Sequence, residues 1–212
     1  PRSEVLVATK GGMTRPDGRW DRNGRPEHLR RACDRSLKAL GVDRIDLYQF
    51  HAPDPQVPFT ESVGMLAELQ GEGKIRWIGL SNVSVDQVNA ARRHVEVVTV
   101  QNRLNPWFRE ALQQGVVEHC ERLGIGFLAY SPVGGGRLNK KLPAHPLVRA
   151  IADRHGASPH AVVLAWVLEQ ASNVIVIPGA RTVEHALDSM TAGDLRLEPE
   201  ELRELDEAVF DK

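Results

Sequence analysis

Short apolar runs alternate six times with segments of helical periodicity along this chain of 212 residues. Each run has five to seven residues, and most show little polar alternation, which is typical of parallel strands covered by helices. Because strand and helix signals alternate in this way, the sequence predicts an α/β fold with a parallel sheet. The predicted strands span residues 5–9, 45–50, 75–81, 97–101, 126–131 and 174–178.

The segments between the strands carry recognisable helix boundaries. Pro26 is placed to open the first helix and Gly41 to end it in the left-handed conformation. Thr60 is predicted to cap the second helix, and Ser84 with Gln87 forms a capping box for the third. Two later helices are predicted from apolar stripes. The first stripe consists of Leu112, Val116, Cys120 and Leu123. The second follows a Thr182 cap and consists of Val183, Leu187 and Met190.

Two architectures fit six such β/α units in a single domain over residues 1–212, a doubly wound open sheet and a (β/α)₈ barrel. The first strand is not followed by the GxGxxG motif, and the glycines at 134–136 lack both that spacing and a Walker lysine. The sequence therefore lacks the motifs that usually indicate a nucleotide-binding open sheet. The sequence favours the barrel, to which this chain would supply about six units, equivalent to strands 3 to 8.

Composition excludes several classes of partner. Lys and Arg total 27 against 28 Asp and Glu, so the net charge of −1 argues against a nucleic-acid or polybasic membrane-surface role. The apolar runs are far shorter than the ~20 residues that span a bilayer, and the first residues do not form a signal peptide, so we expect a cytoplasmic protein. Cys33 and Cys120 fall on helical apolar stripes, as buried thiols do, and metal-ligand spacing is absent.

Polar side chains follow nearly every predicted strand. In a barrel all these positions meet at one rim, where active sites are built. Taken singly, each has an ordinary explanation: a solvated lysine, a structural histidine, or a Ser-Asn turn. Together they predict a functional rim made of Lys10, His51, Ser81, Asn82, Gln101, Asn102, Tyr130, Ser131 and Arg181.

At these residues the chain resembles the aldo/keto reductases, NADP-dependent (β/α)₈ barrel enzymes. Within the family it is most similar to bacterial reductases of the pyridoxal-reductase or general aldehyde-reductase type. The resemblance implies reduction of a small-molecule aldehyde or ketone by hydride transfer. It rests on six motifs in order along the chain, at 7–12, 46–51, 73–82, 101–106, 129–132 and 177–181.

The resemblance also implies roles for individual residues. Lys10 matches the lysine that lowers the pKa of the catalytic tyrosine, and His51 matches the histidine that orients the substrate carbonyl. Arg181 matches the basic residue at the 2′-phosphate of NADP(H), since a guanidinium binds phosphate oxygens in a bidentate manner. The other implied cofactor residues are Ser81, Asn82 and Gln101 at the carboxamide, Tyr130 under the nicotinamide ring, Ser131, Val133 and Gly135 beside the pyrophosphate, Gly179 and Ala180 next to Arg181, and Asp188 and Ser189, which stand where the family usually has a Glu-Asn pair near the adenine.

The front of the chain departs from the family pattern. The catalytic Asp and Tyr of the family follow its second strand, whereas this sequence begins at what resembles the third. We therefore expect a domain truncated at its N-terminus and a chain that is inactive alone. Of its two tyrosines, Tyr48 has strand parity opposite to His51 and should point toward the helices, while Tyr130 is assigned to stacking.

Three functions stay open on sequence grounds. The first is an NADP(H)-dependent carbonyl reductase, and the second is a non-catalytic or regulatory nicotinamide-nucleotide binder, because cofactor residues are present without a proton donor. The third is a barrel aldolase that uses Lys10 as a Schiff-base lysine. Trp20, in the predicted loop 13–24, and Trp107 are candidates for a substrate pocket and equally for ordinary packing.

Overall fold

The computed structural model describes residues 5–211. The chain divides into two compact units, Pro1–Gln101 and Asn102–Lys212, which we call unit 1 and unit 2. In both units parallel strands alternate with helices, so the predicted α/β class is confirmed. The single domain proposed from the sequence stays a prediction.

Four parallel strands form the centre of unit 1, in the order β1, β4, β5, β6. Their pairing places Lys10 opposite Gln49 and Ser81 opposite Gln101, and the register between β5 and β6 shifts between Ile78 and Gly79. The first strand begins three residues later than predicted, because Val7 donates its backbone N–H to the Asp46 carboxylate rather than to a ladder partner. The bounds are β1 Ala8–Gly11, β4 Ile45–Phe50, β5 Ile75–Ser81 and β6 Val97–Arg103.

The predicted loop at 13–24 contains a small hairpin. Strands β2 (Met13–Thr14) and β3 (Asp21–Arg22) pair antiparallel and are joined through a 3-10 turn at Pro16–Gly18. Its strands are too short for the alternation that reveals a strand in a sequence. We call residues 13–24 the Trp20 hairpin.

Three helices cover the sheet of unit 1: α1 (Pro26–Leu40), α2 (Phe59–Gly71) and α3 (Val85–Arg92). The predicted stop at Gly41 is confirmed by its φ of 64°, and the Ser84–Gln87 capping box is present. The predicted Thr60 cap is wrong, because the cap position is Pro58, two residues earlier, and α2 lacks a side-chain cap.

Unit 2 contains a pair of parallel strands, β7 (Gly126–Tyr130) and β8 (Val174–Ile177). The most buried helix in unit 2 is α8, which has buried side chains at every position from 161 to 167. The helices of unit 2 are α4 (Glu110–Gln113), α5 (Val116–Arg122), α6 (Gly135–Leu138), α7 (Pro146–His155), α8 (Pro159–Leu168), α9 (Val183–Thr191) and α10 (Pro199–Glu207), with a 3-10 segment at Asn139–Ala144.

Of two stripes predicted as helical faces, one is divided in the structure and the other forms the predicted helix. The stripe from Leu112 to Leu123 is divided between α4 and α5, because Gly115 adopts a φ of 69° and interrupts the helix. The stripe on α9 forms a helix with the predicted Thr182 cap, yet its apolar side chains face outward. Val183, Leu187 and Met190 are 76%, 58% and 72% exposed.

Both cysteines are buried free thiols, as predicted. Burial is the main cause that raises the pKa of Cys33 to about 11 and that of Cys120 to about 12. Because the thiolate is the reactive form, these side chains act as core packing residues. In the described part of the chain, none of the helices has the length and hydropathy of a membrane-spanning segment.

Candidate active site

Five of the predicted functional residues lie at the carboxyl ends of the unit 1 strands. Ser81 ends β5, and His51 follows β4 directly. The turn after β5 ties these strands together, because the Asn82 backbone N–H donates to the Gln101 carbonyl at 3.1 Å. The Asn82 Nδ2 donates to the His51 carbonyl at 3.0 Å and to the Ser81 Oγ at 3.2 Å. We call the group of Lys10, His51, Ser81, Asn82 and Gln101 the strand-end cluster.

Lys10 and His51 are electrostatically coupled within this cluster. The His51 backbone N–H donates to the Gly11 carbonyl at 2.8 Å, which fixes the residue beside the end of β1. Partial burial lowers the pKa of His51 below its ordinary value of 6.5, and the nearby Lys10 charge lowers it further. Burial also lowers the pKa of Lys10. His51 is therefore neutral at pH 7, the form in which one ring nitrogen donates and the other accepts.

Tyr48 points away from the strand-end cluster, as the strand parity predicted. It is fully buried, and its hydroxyl donates to the Leu29 carbonyl on α1 at 3.3 Å. Burial raises the pKa of Tyr48 well above its ordinary value. The strand beside it has no room for a larger residue, because a Cβ at Gly11 would lie 2.0 Å from the Tyr48 hydroxyl oxygen. Tyr48 is therefore a core residue and does not donate a proton at this site.

Backbone strain marks two of the predicted cofactor residues. Among the described residues other than glycine, positive φ angles occur at Asp17, Asn82 and Ser131. Asn82 has a φ of 57° directly after β5, and Ser131 has a φ of 50° directly after β7. Left-handed conformations cost about 1–3 kcal/mol for residues with a side chain, and they cluster at functional sites. Both residues stand where a turn must redirect the chain at the end of a strand.

The last residue of β7 and the segment after it form a second group, made of Tyr130, Ser131, Val133 and Gly135. All four are partly exposed, and Gly135 begins the short helix α6 with a φ of 73°. Gly134, whose φ is 87°, has no space for a side chain, because a Cβ there would lie 2.6 Å from the Trp107 ring. Burial raises the pKa of Tyr130.

Asn105 is a positioning residue that the sequence interpretation did not assign. It is fully buried, and its Nδ2 donates to the Ser131 carbonyl at 2.9 Å. Its Oδ1 accepts from the backbone N–H groups of Trp107 at 3.0 Å and of Phe108 at 3.1 Å. The only sequence signal is a polar residue between apolar neighbours just after a strand. Burial of Trp107 to 7% exposure favours packing over the substrate-pocket role considered for it.

The residues predicted to contact the adenosine end lie after β8 and along α9. Gly179, Ala180 and Arg181 are exposed, and Thr182 caps α9 by accepting the His185 N–H at 3.2 Å. Asp188 accepts a hydrogen bond from the Ser158 hydroxyl at 2.7 Å, and the Ser189 hydroxyl donates to the His185 carbonyl at 2.8 Å. Arg181 thus stands at the start of a capped helix, while Asp188 is bonded to the N-cap residue of α8 and Ser189 to its own helix.

The fold and these strand-end residues define an oxidoreductase family. The chain belongs to the aldo/keto reductase family, whose pattern it matches over residues 1–209. It is 35% identical to a probable aldo-keto reductase 1 of Glycine max, over 99% of this chain and 68% of that protein. The chain spans about two thirds of the length of the curated relatives that it matches.

Solved structures agree with this assignment. A thermostable aldo-keto reductase, Tm1743, crystallised with the inhibitor epalrestat, matches with a TM-score of 0.84 and 31% identity, over 97% of this chain and 72% of its own. An aldo/keto reductase of Klebsiella pneumoniae, crystallised with NADP and acetate, matches with a TM-score of 0.81 and 29% identity, over 97% and 70% of the two chains. These matches confirm the predicted fold class, and the number of β/α units stays a prediction.

Proposed function

We propose that this protein is an NADP(H)-dependent oxidoreductase that reduces the carbonyl group of a small aldehyde or ketone. The observation that carries the proposal is that His51 is bonded beside the end of β1, next to Lys10, at the strand ends of a chain of the aldo/keto reductase family. A bacterial pyridoxal-reductase or general aldehyde-reductase type of activity and a cytoplasmic location belong to the same proposal.

The donor groups of the strand-end cluster fit a nicotinamide carboxamide. Ser81 supplies a hydroxyl, and Asn82 and Gln101 supply amides, at three neighbouring strand-end positions. A carboxamide has both donors and an acceptor, which such side chains can satisfy. When bound, NADPH supplies the hydride. In unit 2, we assign ring stacking to Tyr130, and phosphate contacts to Ser131, Val133, Gly135 and the segment 179–181, with adenine contacts at Asp188 and Ser189.

His51 and Lys10 have different roles in the proposed reaction. Neutral His51 donates a hydrogen bond to the substrate carbonyl oxygen and so fixes its direction. Lys10 places a positive charge beside the oxygen, where negative charge develops during reduction, and partial burial strengthens the attraction between the two charges. Neither residue must gain or lose a proton to do this at pH 7.

A second function, nicotinamide-nucleotide binding without catalysis, is favoured by the tyrosines. The chain has two, of which Tyr48 is sequestered under α1 and Tyr130 is assigned to stacking. Carbonyl reduction needs a proton for the developing alkoxide, and a positioned acid contributes about 10²–10⁴ in rate. Steady-state reduction of 4-nitrobenzaldehyde by NADPH separates the two functions: slow turnover above the rate without protein supports the reductase, and nucleotide binding with no turnover above that rate supports the second function.

The cofactor preference tests the proposal most directly. A 2′-phosphate beside Arg181 and the capped start of α9 gains charge-assisted hydrogen bonds, which NADH cannot form. We expect NADPH to bind about tenfold to a hundredfold tighter than NADH, or about 1.4 to 2.7 kcal/mol. Arg181→Ala should remove most of this difference and leave NADH binding nearly unchanged.

Titration of both nucleotides, followed by tryptophan fluorescence, measures these affinities. Arg149→Ala is the matched control, because Arg149 is another exposed arginine of unit 2, on α7. Equal affinities for NADPH and NADH in the unmutated protein would contradict the proposal. An equal loss in both arginine variants would show that only the net charge matters.

A further inference from the structure

The Trp20 hairpin is held firmly at its C-terminal end. The Asn23 N–H donates to the Gly12 carbonyl at 3.0 Å, and the Gly24 N–H donates to the Asp54 carboxylate at 2.9 Å. The buried Ser62 hydroxyl donates to the Gly24 carbonyl at 2.7 Å. These bonds connect the hairpin to β1, to the loop after β4 and to α2, so it is a fixed part of unit 1.

The hairpin places a large aromatic side chain beside the strand-end cluster. The ring centroids of Trp20 and His51 are 5.6 Å apart, with an angle of 61° between the planes. The Arg15 guanidinium lies 4.3 Å from the centre of the Trp20 ring. Trp20 nevertheless stays 60% exposed. The ring is thus restrained by its neighbours without being buried by them.

This arrangement is unlike ordinary packing. A tryptophan that packs for stability hides its ring, as Trp166 does at 1% exposure, whereas Trp20 leaves most of its surface open beside His51. Cation–π contact with Arg15 orients the ring and lowers the entropy that a ligand must remove on binding. Aromatic rings favour offset-stacked or edge-to-face contact with other planar groups.

We propose that Trp20 is a substrate-binding residue that selects carbonyl compounds bearing a planar aromatic group. The aromatic group contacts the open surface of Trp20 while the carbonyl oxygen reaches His51. The inference rests on the proposed function, because it takes His51 as the residue that orients the carbonyl. It assigns the substrate class to aromatic aldehydes and ketones over small aliphatic ones.

The test uses the full chain labelled with 5-fluorotryptophan, whose four fluorine signals are assigned by single Trp→Phe variants. The probes are 4-nitroacetophenone and acetone, two methyl ketones of which only one is aromatic. We expect 4-nitroacetophenone to shift the Trp20 signal with saturation and acetone to leave it unchanged. Trp77 is an internal control, because Arg76 stacks on it at 3.8 Å and it lies on β5 four residues before the strand end at Ser81.

Substitutions at Trp20 give the second measurement. We expect Trp20→Ala to weaken 4-nitroacetophenone binding about five- to tenfold, as read from relaxation of the ketone ring protons, and Trp20→Phe to recover part of the loss. Trp77→Phe should leave the affinity unchanged. Because Trp20 is exposed, we expect the Trp20 variants to fold. The three remaining fluorine signals verify this when their positions are unchanged.

NADPH binding is measured in the same samples to separate the two proposals. If NADPH binds but the Trp20 signal is unaffected, or responds to both ketones alike, the inference about Trp20 is wrong and the proposed function stands. If the Trp20 signal shifts as expected but NADPH does not bind, the proposed function fails while aromatic binding beside His51 remains. An equal shift at Trp77 would mean non-specific contact and would also overturn the inference.

Discussion

Replacement of Asn105 by alanine tests whether the turn after β7 depends on this buried amide. The change removes the bond to the Ser131 carbonyl and leaves the buried Trp107 N–H without its acceptor. Phe108 loses less, because its N–H also donates to the Asn105 backbone carbonyl at 3.0 Å. A lost hydrogen bond costs about 0.5–1.5 kcal/mol and an unpaired buried donor about 1–3 kcal/mol. We therefore expect Asn105→Ala to reduce the free energy of unfolding by about 2 to 4 kcal/mol.

Two assays read this effect at different scales. Urea unfolding followed by tryptophan fluorescence should show a lower midpoint for Asn105→Ala with a similar slope. Hydrogen exchange should speed up at the Trp107 amide much more than at the Phe108 amide, since only the latter keeps a partner. Asn139→Ala is the control, because the side-chain oxygen of Asn139 is buried without a hydrogen-bond partner. An unchanged urea midpoint together with full protection of the Trp107 amide would refute the reasoning.

Three further outcomes are expected. Gly11→Ala should destabilise the protein by about 1–3 kcal/mol through overpacking against the Tyr48 hydroxyl. In a urea double-mutant cycle the loss should be smaller in a Tyr48→Phe background, and additive losses would argue against the contact. Burial raises the pKa of Glu201, but bonds from the Glu198 N–H, His155 and Arg154 outweigh it, so the pKa lies below 4.5. The ionised Glu201 carboxylate therefore stabilises the folded protein above pH 4.5, and this stabilisation is lost as the pH falls through the lowered pKa. The free energy of unfolding should fall less steeply with acid in Glu201→Gln, and an identical pH profile in the two proteins would exclude this contribution. The 212-residue chain should reduce 4-nitrobenzaldehyde with NADPH very slowly, and turnover in the common range of about 1–10³ per second would show that a proton donor was missed.

The parts of the fold that depend on local chemistry were predictable. The Gly41 stop and the Ser84–Gln87 capping box involve residues within one turn of each other, so the sequence contains all the information they need. The direction of Tyr48 was also predictable, because strand parity alone places it opposite to His51.

Features that depend on distant residues were not predictable in the same way. Asn105 acts on Ser131, 26 positions further along the chain, so its role has no local pattern. The exposure of the apolar stripe on α9 could not be predicted, because periodicity gives the spacing of apolar residues and not what covers them. The contact of Trp20 with His51 depends on a hairpin whose strands have two residues each.

The left-handed conformations of Asn82 and Ser131 bear on any effort to make this protein more thermostable. A consensus or computational design that looks for positive φ angles would replace both residues by glycine, which relieves steric strain while adding freedom to the unfolded chain. The same substitutions delete an amide and a hydroxyl assigned to the cofactor. At Asn82 the glycine would also lose the side-chain bonds to the His51 carbonyl and the Ser81 hydroxyl, so we expect both heat resistance and nucleotide affinity to fall. At Ser131, relief of strain and loss of the hydroxyl act in opposite directions on stability and affinity, so a screen that selects only for melting temperature would select against function there.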